Sequence, residues 1–328
     1  MADIAFLAAI LTTAFCLTSF VMPAVIRKMK AAGIAGHDVN KPGRPEVAEM
    51  GGLGILIGVI GALLLAMAMK TFLGYGFNLE EIMAAMLTMV IISLIGIFDD
   101  LFDMRKDVKA LLPMIAALPL VALAAAGSTT ISLPFIGPFD FGIIYIIVLI
   151  PLGVTVPSNL TNMLAGFNGM EAGMGAVIFA CVALLAVANG STEMGLISVA
   201  MLGALLAFLR FNWYPARVFI GDIGTLLIGG ALAAAVIVGN LESAGAILVI
   251  PYLFDFVIKA KNRFPRADGE CGTDGRLLPD GGKVKGFVHL VMKMAGGITE
   301  KNLVMFFIAT EVLFALLAIL MYGRNLFL

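Results

Sequence analysis

The chain has 328 residues, of which 61% are hydrophobic and only 13% are charged, and its mean hydropathy is +1.06. A soluble domain carries roughly 25% charged residues, so this composition excludes an ordinary soluble protein and predicts a polytopic membrane protein. The formal net charge of −1 says nothing about partners, because the distribution of charge matters here rather than its sum, and we expect no nucleic acid ligand. The three cysteines have neither metal-ligand spacing nor the context of a disulfide framework.

Ten apolar stretches are long enough to cross a bilayer, which takes about 20 residues of helix. The first stretch follows Met-Ala-Asp without the basic segment of a secretory signal, so we interpret it as a retained helix. The fold is therefore predicted to be all-α, a single membrane domain over residues 1–328, with both termini on one side. The predicted spans are 4–26, 51–70, 80–98, 110–126, 141–158, 173–189, 195–210, 219–239, 243–260 and 302–323.

Lys and Arg are distributed unequally between the two sides of these spans. All of them except Lys70 and Arg324 fall in connections on one face. Because basic loops stay in the cytoplasm, we expect that face to be cytoplasmic and both termini to be outside. The polar segments with motif character lie on the same face: 37–52, 99–109, 159–171, 212–222 and 261–293.

This one-sided arrangement favours an enzyme that joins a cytoplasmic donor to a lipid. Transporters place their chemistry near the midplane, often in interrupted helices of repeated halves. The sequence shows no internal repeat and no ion pair within a span. A transporter or flippase is therefore the alternative from a different class, and a non-catalytic scaffold would leave the polar segments unexplained.

The first polar segment, residues 37–52, links spans one and two and is rich in Gly and Pro. We expect a structured loop rather than a helix. Lys41 and Arg44 are consistent with topology alone, and His37 is more typical of a surface histidine than of a base.

Acidic residues close the third span at Asp99, Asp100 and Asp103, and basic residues follow as far as Lys109. Asp99 and Asp103 share a helix face, and clustered carboxylates need a nearby cation. The segment predicts either a Mg²⁺–phosphate neighbourhood with a general base or a solvated helix end whose acids pair with the bases that follow.

The segment at 159–173, near the middle of the chain, holds three Asn, one Glu and three Gly. An unpaired amide in apolar surroundings costs about 2–7 kcal/mol, so polar clusters at membrane helix ends indicate functional sites. We expect one wall of a phosphate-handling site here. Glu171 is interpreted as a cap of the sixth span, and Asn159 as an amide that closes the preceding helix.

The connection at 212–224 contains the only tryptophan and ends in Gly-Asp-Ile-Gly. Asp222 opens an apolar span, which predicts either a helix cap or a metal ligand that holds phosphate. Because Mg²⁺ is often bound by one or two protein oxygens plus phosphates and waters, Asp222 and one Asn amide would suffice. Trp213 and Tyr214 are typical of interfacial anchors.

An insertion at 261–298 precedes the last span. The basic run at 259–266 is suited either to lipid headgroups or to a pyrophosphate. Residues 267–286 predict a small hairpin, and 281–297 predict an amphipathic surface helix.

Taken together, these segments resemble the polyprenyl-phosphate N-acetylhexosamine-1-phosphate transferase family over essentially all ten spans. Within it, the nearest branch transfers GlcNAc-1-phosphate from UDP-GlcNAc to dolichyl phosphate in archaea and eukaryotes. Two departures matter: Lys261-Asn262-Arg263 replaces an Arg-His-Arg run, and the histidine-rich motif of phospho-MurNAc-pentapeptide transferase is missing. The matching blocks are Asp38-Val-Asn-Lys41 with Glu49, Asp99-Asp100, 159–173, 212–222 and Arg263-Phe-Pro-Arg266.

The resemblance implies a role for each matching residue. Asn162 and Asp222 are implied to bind Mg²⁺, with Mn²⁺ as an alternative ion. Asp99 is implied as a base or positioning group for the lipid phosphate, supported by Asp100. Pyrophosphate clamps are implied at Lys109 and Arg263, and the implied substrate contacts are Val39, Asn40, Lys41, Glu49, Gly166, Asn168, Phe219, Lys261 and Arg266.

The implied reaction transfers a sugar-1-phosphate, expected to be GlcNAc-1-phosphate, from a UDP-sugar to a polyprenyl phosphate and releases UMP. This would be the first membrane step of N-glycan-type assembly, at the cytoplasmic face of the plasma membrane. The expected partners are the donor, the dolichyl phosphate acceptor and the bilayer, and a homodimer is compatible with the resemblance. The bacterial reaction on undecaprenyl phosphate is the alternative within the family.

Overall fold

The computed structural model describes residues 4–102, 104–124, 129–133, 136–265, 267–272, 275–323 and 326. Nine helices in this part of the chain are long and apolar enough to cross a bilayer, and two shorter helices bent by 57° make a tenth span if the pair is counted as one. The all-α polytopic fold with about ten spans is therefore confirmed. The side on which the termini lie, and the division into one domain with an insertion at 261–298, stay predictions.

The first five spans come from seven α-helices and one π-helical segment. The fourth span is interrupted at Leu112 and Ala117, and the π-helical turn forms the start of the fifth. The helices are α1 (Ile4–Ala31), α2 (Gly52–Leu73), α3 (Leu79–Phe102), α4 (Lys106–Leu111), α5 (Pro113–Ala116), α6 (Leu118–Ala124), the π-helix Tyr145–Leu149 and α7 (Ile150–Met163).

The remaining helices complete the bundle and the insertion. They are α8 (Met170–Asn189), α9 (Thr192–Asn212), α10 (Gly221–Val238), the bent pair α11 (Glu242–Leu248) and α12 (Ile250–Lys261), the short α13 (Phe287–Met294) and α14 (Glu300–Tyr322). Three antiparallel two-stranded sheets join them: β1 (Ala35–His37) with β2 (Glu46–Ala48), β3 (Thr130–Leu133) with β4 (Gly137–Asp140), and β5 (Gly269–Cys271) with β6 (Leu277–Pro279).

Helices α8, α9 and α10 form the centre of the bundle. Their most apolar stretches are buried over 72%, 78% and 83% of their residues, against 28% for α1 and 33% for α14. A helix that is apolar all round suits a central position, whereas the outer helices turn apolar side chains towards lipid. The first turn of α10 therefore starts at the middle of one end of the bundle.

A glycine lets α3 approach this central helix closely. A Cβ at Gly96 would lie 2.5 Å from Cα of Ile223 and 2.6 Å from its backbone nitrogen, so no larger residue fits there. Small residues permit such backbone contact between membrane helices. The contact brings Asp99 and Asp100, one turn further along α3, to the beginning of α10.

The small sheets agree in part with the sequence. The β1–β2 pair lies in the loop expected to be structured, and β5, β6 and α13 lie where a hairpin and a surface helix were expected. The β3–β4 hairpin was missed, because its strands are only 4 residues long and offer little alternation of apolar and polar side chains.

Candidate active site

Four polar side chains from four helices meet at the end of the bundle where α3 and α7 finish and α10 begins. The ammonium of Lys109, from α4, contacts the carboxylates of Asp99 and Asp222. Asn162, from α7, turns its amide oxygen to Lys109 Nζ at 3.1 Å and donates from its amide nitrogen to Asp222 Oδ1 at 2.9 Å. We call these residues the acid–lysine cluster.

The acid–lysine cluster is a set of oxygen atoms gathered around one cation. Carboxylate and amide oxygens are the ligands that Mg²⁺ prefers, with waters and phosphates completing its shell. In the described part of the chain no group of three or more His, Cys, Asp or Glu forms a metal site by itself. The oxygens of Asp222 and Asn162, which already face an ammonium, are thus the donor set that fits a divalent ion.

Asp100 binds the backbone at the start of α10 and is not part of the acid–lysine cluster. Its carboxylate accepts hydrogen bonds from the backbone N–H groups of Asp222 at 2.8 Å and Ile223 at 3.3 Å. Gly221 has φ +69°, and a Cβ there would lie 2.6 Å from Asp100 Oδ2, so glycine is required by both conformation and space. Asp100 thereby anchors the first turn of α10 and positions Asp222.

Replacing Asp100 with Ala is expected to lower the temperature of thermal unfolding. The change leaves two N–H groups at the start of α10 without their acceptor, and loss of such a cap costs about 0.5–2 kcal/mol. Thermal unfolding in detergent measures the effect. Asp107→Ala is the matched control, because Asp107 is exposed and pairs with exposed Arg105; equal unfolding temperatures for the two variants would contradict the capping role.

A cavity of about 250 Å³ opens beside the acid–lysine cluster. It is bounded by the β1–β2 loop, the α7–α8 loop and the start of α10. The residues of the predicted site that line it are Val39, Asn40, Asn162, Gly166, Asn168, Phe219 and Asp222. Its other lining residues are His37, Asp38, Ala165, Phe167, Glu171, Asn212, Ile220, Gly221, Thr225 and Asp268.

Asn40 fixes two of these walls to each other. Its amide nitrogen donates to the carbonyl of Gly166 at 2.9 Å, and its amide oxygen accepts from the backbone N–H of Gly269 at 3.0 Å. Glu171, in the first turn of α8, accepts from the backbone N–H of Gly166 at 2.6 Å. The α7–α8 loop is therefore held by side chains on both sides.

A second amide joins this loop to the connection before α10. Asn212 accepts from the backbone N–H of Gly169 at 3.0 Å and donates to the carbonyl of Val218 at 2.9 Å. Gly169 has φ +84°, and the ring of Trp213 leaves no room for a Cβ, which would lie 2.7 Å from it. Trp213 thus packs against the site, although the sequence indicated an interfacial anchor.

Several predicted site residues are not brought to the cavity. Lys41 is buried between two carboxylates, and Glu49 lies within electrostatic range of Asp100 instead. Lys261, the last residue of α12, and Arg263, just after it, are exposed and do not line the cavity. Arg266 lies outside the described residues, and the roles implied for all of these stay predictions.

Three acids near the site, Asp38, Asp268 and Glu300, were given no role from the sequence. Asp38 lies in a matching block and Asp268 lies in the insertion. Neither sequence pattern distinguishes these residues from ordinary acidic residues of a loop. Glu300 begins the last span and contacts Asn168, 132 residues earlier, so no local pattern could reveal it.

The fold and the site define a polytopic membrane protein with an enzyme-like cluster of acids, amide and lysine at one end of its helices. A model of glycosyl transferase family 4 matches residues 82–240, which include Asp99, Asp100, Asn162 and Asp222.

Relatives match almost the whole chain. A Saccharolobus solfataricus protein is 37% identical over 300 residues, or 90% of this chain and 91% of its own, and a Sulfolobus acidocaldarius protein is 35% identical over 303 residues, or 90% of each chain. Both are named putative UDP-N-acetylglucosamine–dolichyl-phosphate N-acetylglucosaminephosphotransferase. A Dictyostelium discoideum protein bearing that name without "putative" is 28% identical over an alignment of 333 positions, gaps included, which covers 88% of this chain and 81% of its own. The chain belongs to glycosyl transferase family 4.

Proposed function

We propose that this protein transfers GlcNAc-1-phosphate from UDP-GlcNAc to dolichyl phosphate and releases UMP, the first membrane step of N-glycan-type assembly. The observation that carries the proposal is the acid–lysine cluster, which lies beside a cavity with acids and amides among its lining residues, at one end of a membrane bundle. A water-soluble nucleotide sugar can enter such a cavity, while a lipid acceptor stays in the bilayer beside it. The names of the relatives support the same reaction.

The reaction needs little covalent chemistry from the protein. A phosphate oxygen of the acceptor attacks the β-phosphorus of the donor, the new P–O bond forms, and the bond to the bridging oxygen breaks as UMP leaves with that oxygen. Catalysis of such a transfer consists mostly of positioning and of stabilising charge on the phosphoryl oxygens. Lys109 supplies a positive charge beside the cavity for this purpose.

Asp222 and Asn162 are the residues that would hold a divalent ion, because their oxygens face a cation and line the cavity. Mg²⁺, or Mn²⁺ in its place, neutralises pyrophosphate charge when it is bound. Asp100 and Gly221 keep Asp222 at the start of α10, so the ligand set rests on a helix end rather than on a loop.

Asp99 acts as a positioning group. Its carboxylate contacts Lys109 and accepts from the backbone N–H of Met104 at 3.0 Å, which leaves it little freedom to move. The second pKa of a phosphate monoester is about 6, so the acceptor is already largely dianionic at neutral pH. A general base is therefore not required for the attack.

We infer that the site faces the cytoplasm and that the membrane is the plasma membrane. The connections around the site contain nearly all the Lys and Arg residues, as cytoplasmic loops do. The donor would then be a soluble cytoplasmic nucleotide sugar.

UMP release by the purified protein tests the proposed function. We expect release with UDP-GlcNAc and dolichyl phosphate, loss of release with EDTA, and its return when Mg²⁺ or Mn²⁺ is added. UDP-GalNAc and undecaprenyl phosphate complete the panel. Faster reaction with undecaprenyl phosphate would favour the bacterial-type alternative, and transport into proteoliposomes without UMP release would favour a transporter.

A further inference from the structure

A closed ring of polar contacts lies next to the cavity and is formed by Asp38, Lys41, Asn168 and Glu300. The ammonium of Lys41 contacts the carboxylate of Asp38 and lies 2.9 Å from Glu300 Oε2. Asn168 binds both acids, its backbone N–H at 2.8 Å from Glu300 Oε1 and its amide nitrogen at 3.0 Å from Asp38 Oδ2. All four residues are buried. We call this set the buried ring.

The buried ring has no spare group for a phosphate. Buried charges persist where they are paired and hydrogen-bonded, and Lys41 has two carboxylates for its single charge. The ring of Tyr214 faces the same ammonium, 4.7 Å from its centroid. The ammonium of Lys41 is thus held by the two acids of the buried ring, and Lys41 does not line the cavity.

The hydrogen bond between Asn168 and Asp38 determines which atom of the Asn168 amide can contact a ligand. An ionised carboxylate can only accept hydrogen bonds, so Asn168 must present its NH₂ group to Asp38. Its carbonyl oxygen is then the atom left for the cavity that Asn168 lines. A fixed acceptor selects a ligand with an N–H donor, such as uracil at N3, over one with an acceptor there, such as cytosine.

We propose that Glu300, in the first turn of the last helix, is a positioning residue for the nucleotide-binding wall of the cavity. It holds Lys41 and the backbone of Asn168 at once, and it does not itself line the cavity. It therefore acts through Asn168, by keeping the acceptor oxygen of that amide aimed at the base. This inference rests on the proposed function, since it specifies how the same site recognises its UDP-sugar.

Substitution of Glu300 tests the inference through nucleotide selectivity, which loss of stability alone would not change. Glu300→Ala is expected to raise the KM for UDP-GlcNAc and to reduce the preference for UMP over CMP as inhibitors by about tenfold, the effect of one misplaced hydrogen bond. The KM for dolichyl phosphate is expected to stay unchanged. Glu300→Gln keeps an acceptor for Asn168 but loses the charge that faces Lys41, so its selectivity should fall between Glu300→Ala and wild type.

Glu270→Gln is the matched control, because Glu270 is exposed on β5 and takes no part in the buried ring. A folded Glu300→Ala variant with wild-type donor KM and UMP-to-CMP preference would overturn the inference. If that variant does not fold, wild-type selectivity in Glu300→Gln overturns it equally. If the wild-type protein releases no UMP, the proposed function fails separately, and thermal shifts induced by UMP and CMP in the same variants still decide the role of Glu300.

Discussion

Asp222→Asn is expected to reduce UMP release by about 10²–10³-fold, the usual cost of removing one preorganised electrostatic group. Asp222 contacts Lys109, accepts a hydrogen bond from Asn162 and lines the cavity, so it connects every part of the acid–lysine cluster to the substrate. Asn has nearly the same shape but no charge. The variant should therefore fold, keep its contact with Asp100 through the backbone, and fail in binding a divalent ion.

The measurement is a UMP-release assay at saturating donor over a range of Mg²⁺ concentrations. Asn162→Ala should change the rate in the same direction, and both variants should need more Mg²⁺ for half-maximal rate. Asp107→Asn, an acid-to-amide change at an exposed position, should behave like wild type. Near-normal rates in Asp222→Asn or Asn162→Ala would remove that residue from the metal site.

The transmembrane helices could be predicted because the bilayer leaves few alternatives. A chain that crosses lipid must satisfy its backbone hydrogen bonds internally, so a long apolar run becomes a helix. The predicted span 80–98 lies within α3, Leu79–Phe102, and the predicted span 195–210 lies within α9, Thr192–Asn212. Both helices extend past the predicted runs at each end, and the extensions beside the site include Asp99, Asp100 and Asn212.

The bend between α11 and α12 was not predicted. The sequence indicated one span over 243–260, whereas the two helices meet at an angle of 57°. Pro251 lies in the first turn of α12, where its missing N–H breaks the hydrogen-bond ladder, and hydropathy alone does not register that break.

The site was predicted where its residues belong to short motifs and missed where they depend on distant partners. Asn162 and Asp222 stand in dense polar segments, and the structure brings them together. The family resemblance implied a substrate contact for Lys41, whereas in the structure Lys41 is buried and its ammonium contacts Glu300, 259 residues further on. Sequence patterns report local chemistry, and they do not report which charges a tertiary contact has already neutralised.

Lys109→Met is expected to abolish UMP release and also to destabilise the fold. Asp99 has a side chain only 3% exposed, and its counter-ion is Lys109. Removing one partner of a buried ion pair costs about 3–5 kcal/mol, because the other charge stays buried and unpaired. Thermal unfolding and UMP release, measured on the same preparation, record the two effects. Lys106→Met, an exposed lysine in the same helix, should change neither.

The double variant Lys109→Met with Asp99→Asn separates these two roles of Lys109. Removing both charges leaves no uncompensated carboxylate at position 99, so the temperature of unfolding should rise above that of Lys109→Met alone. UMP release should stay absent, since no ammonium then faces the phosphoryl oxygens and neutral side chains cannot replace it. If both activity and stability recover, Lys109 serves only to neutralise Asp99. If stability recovers and activity does not, the charge of Lys109 is needed for catalysis in addition to its role in stabilising the fold.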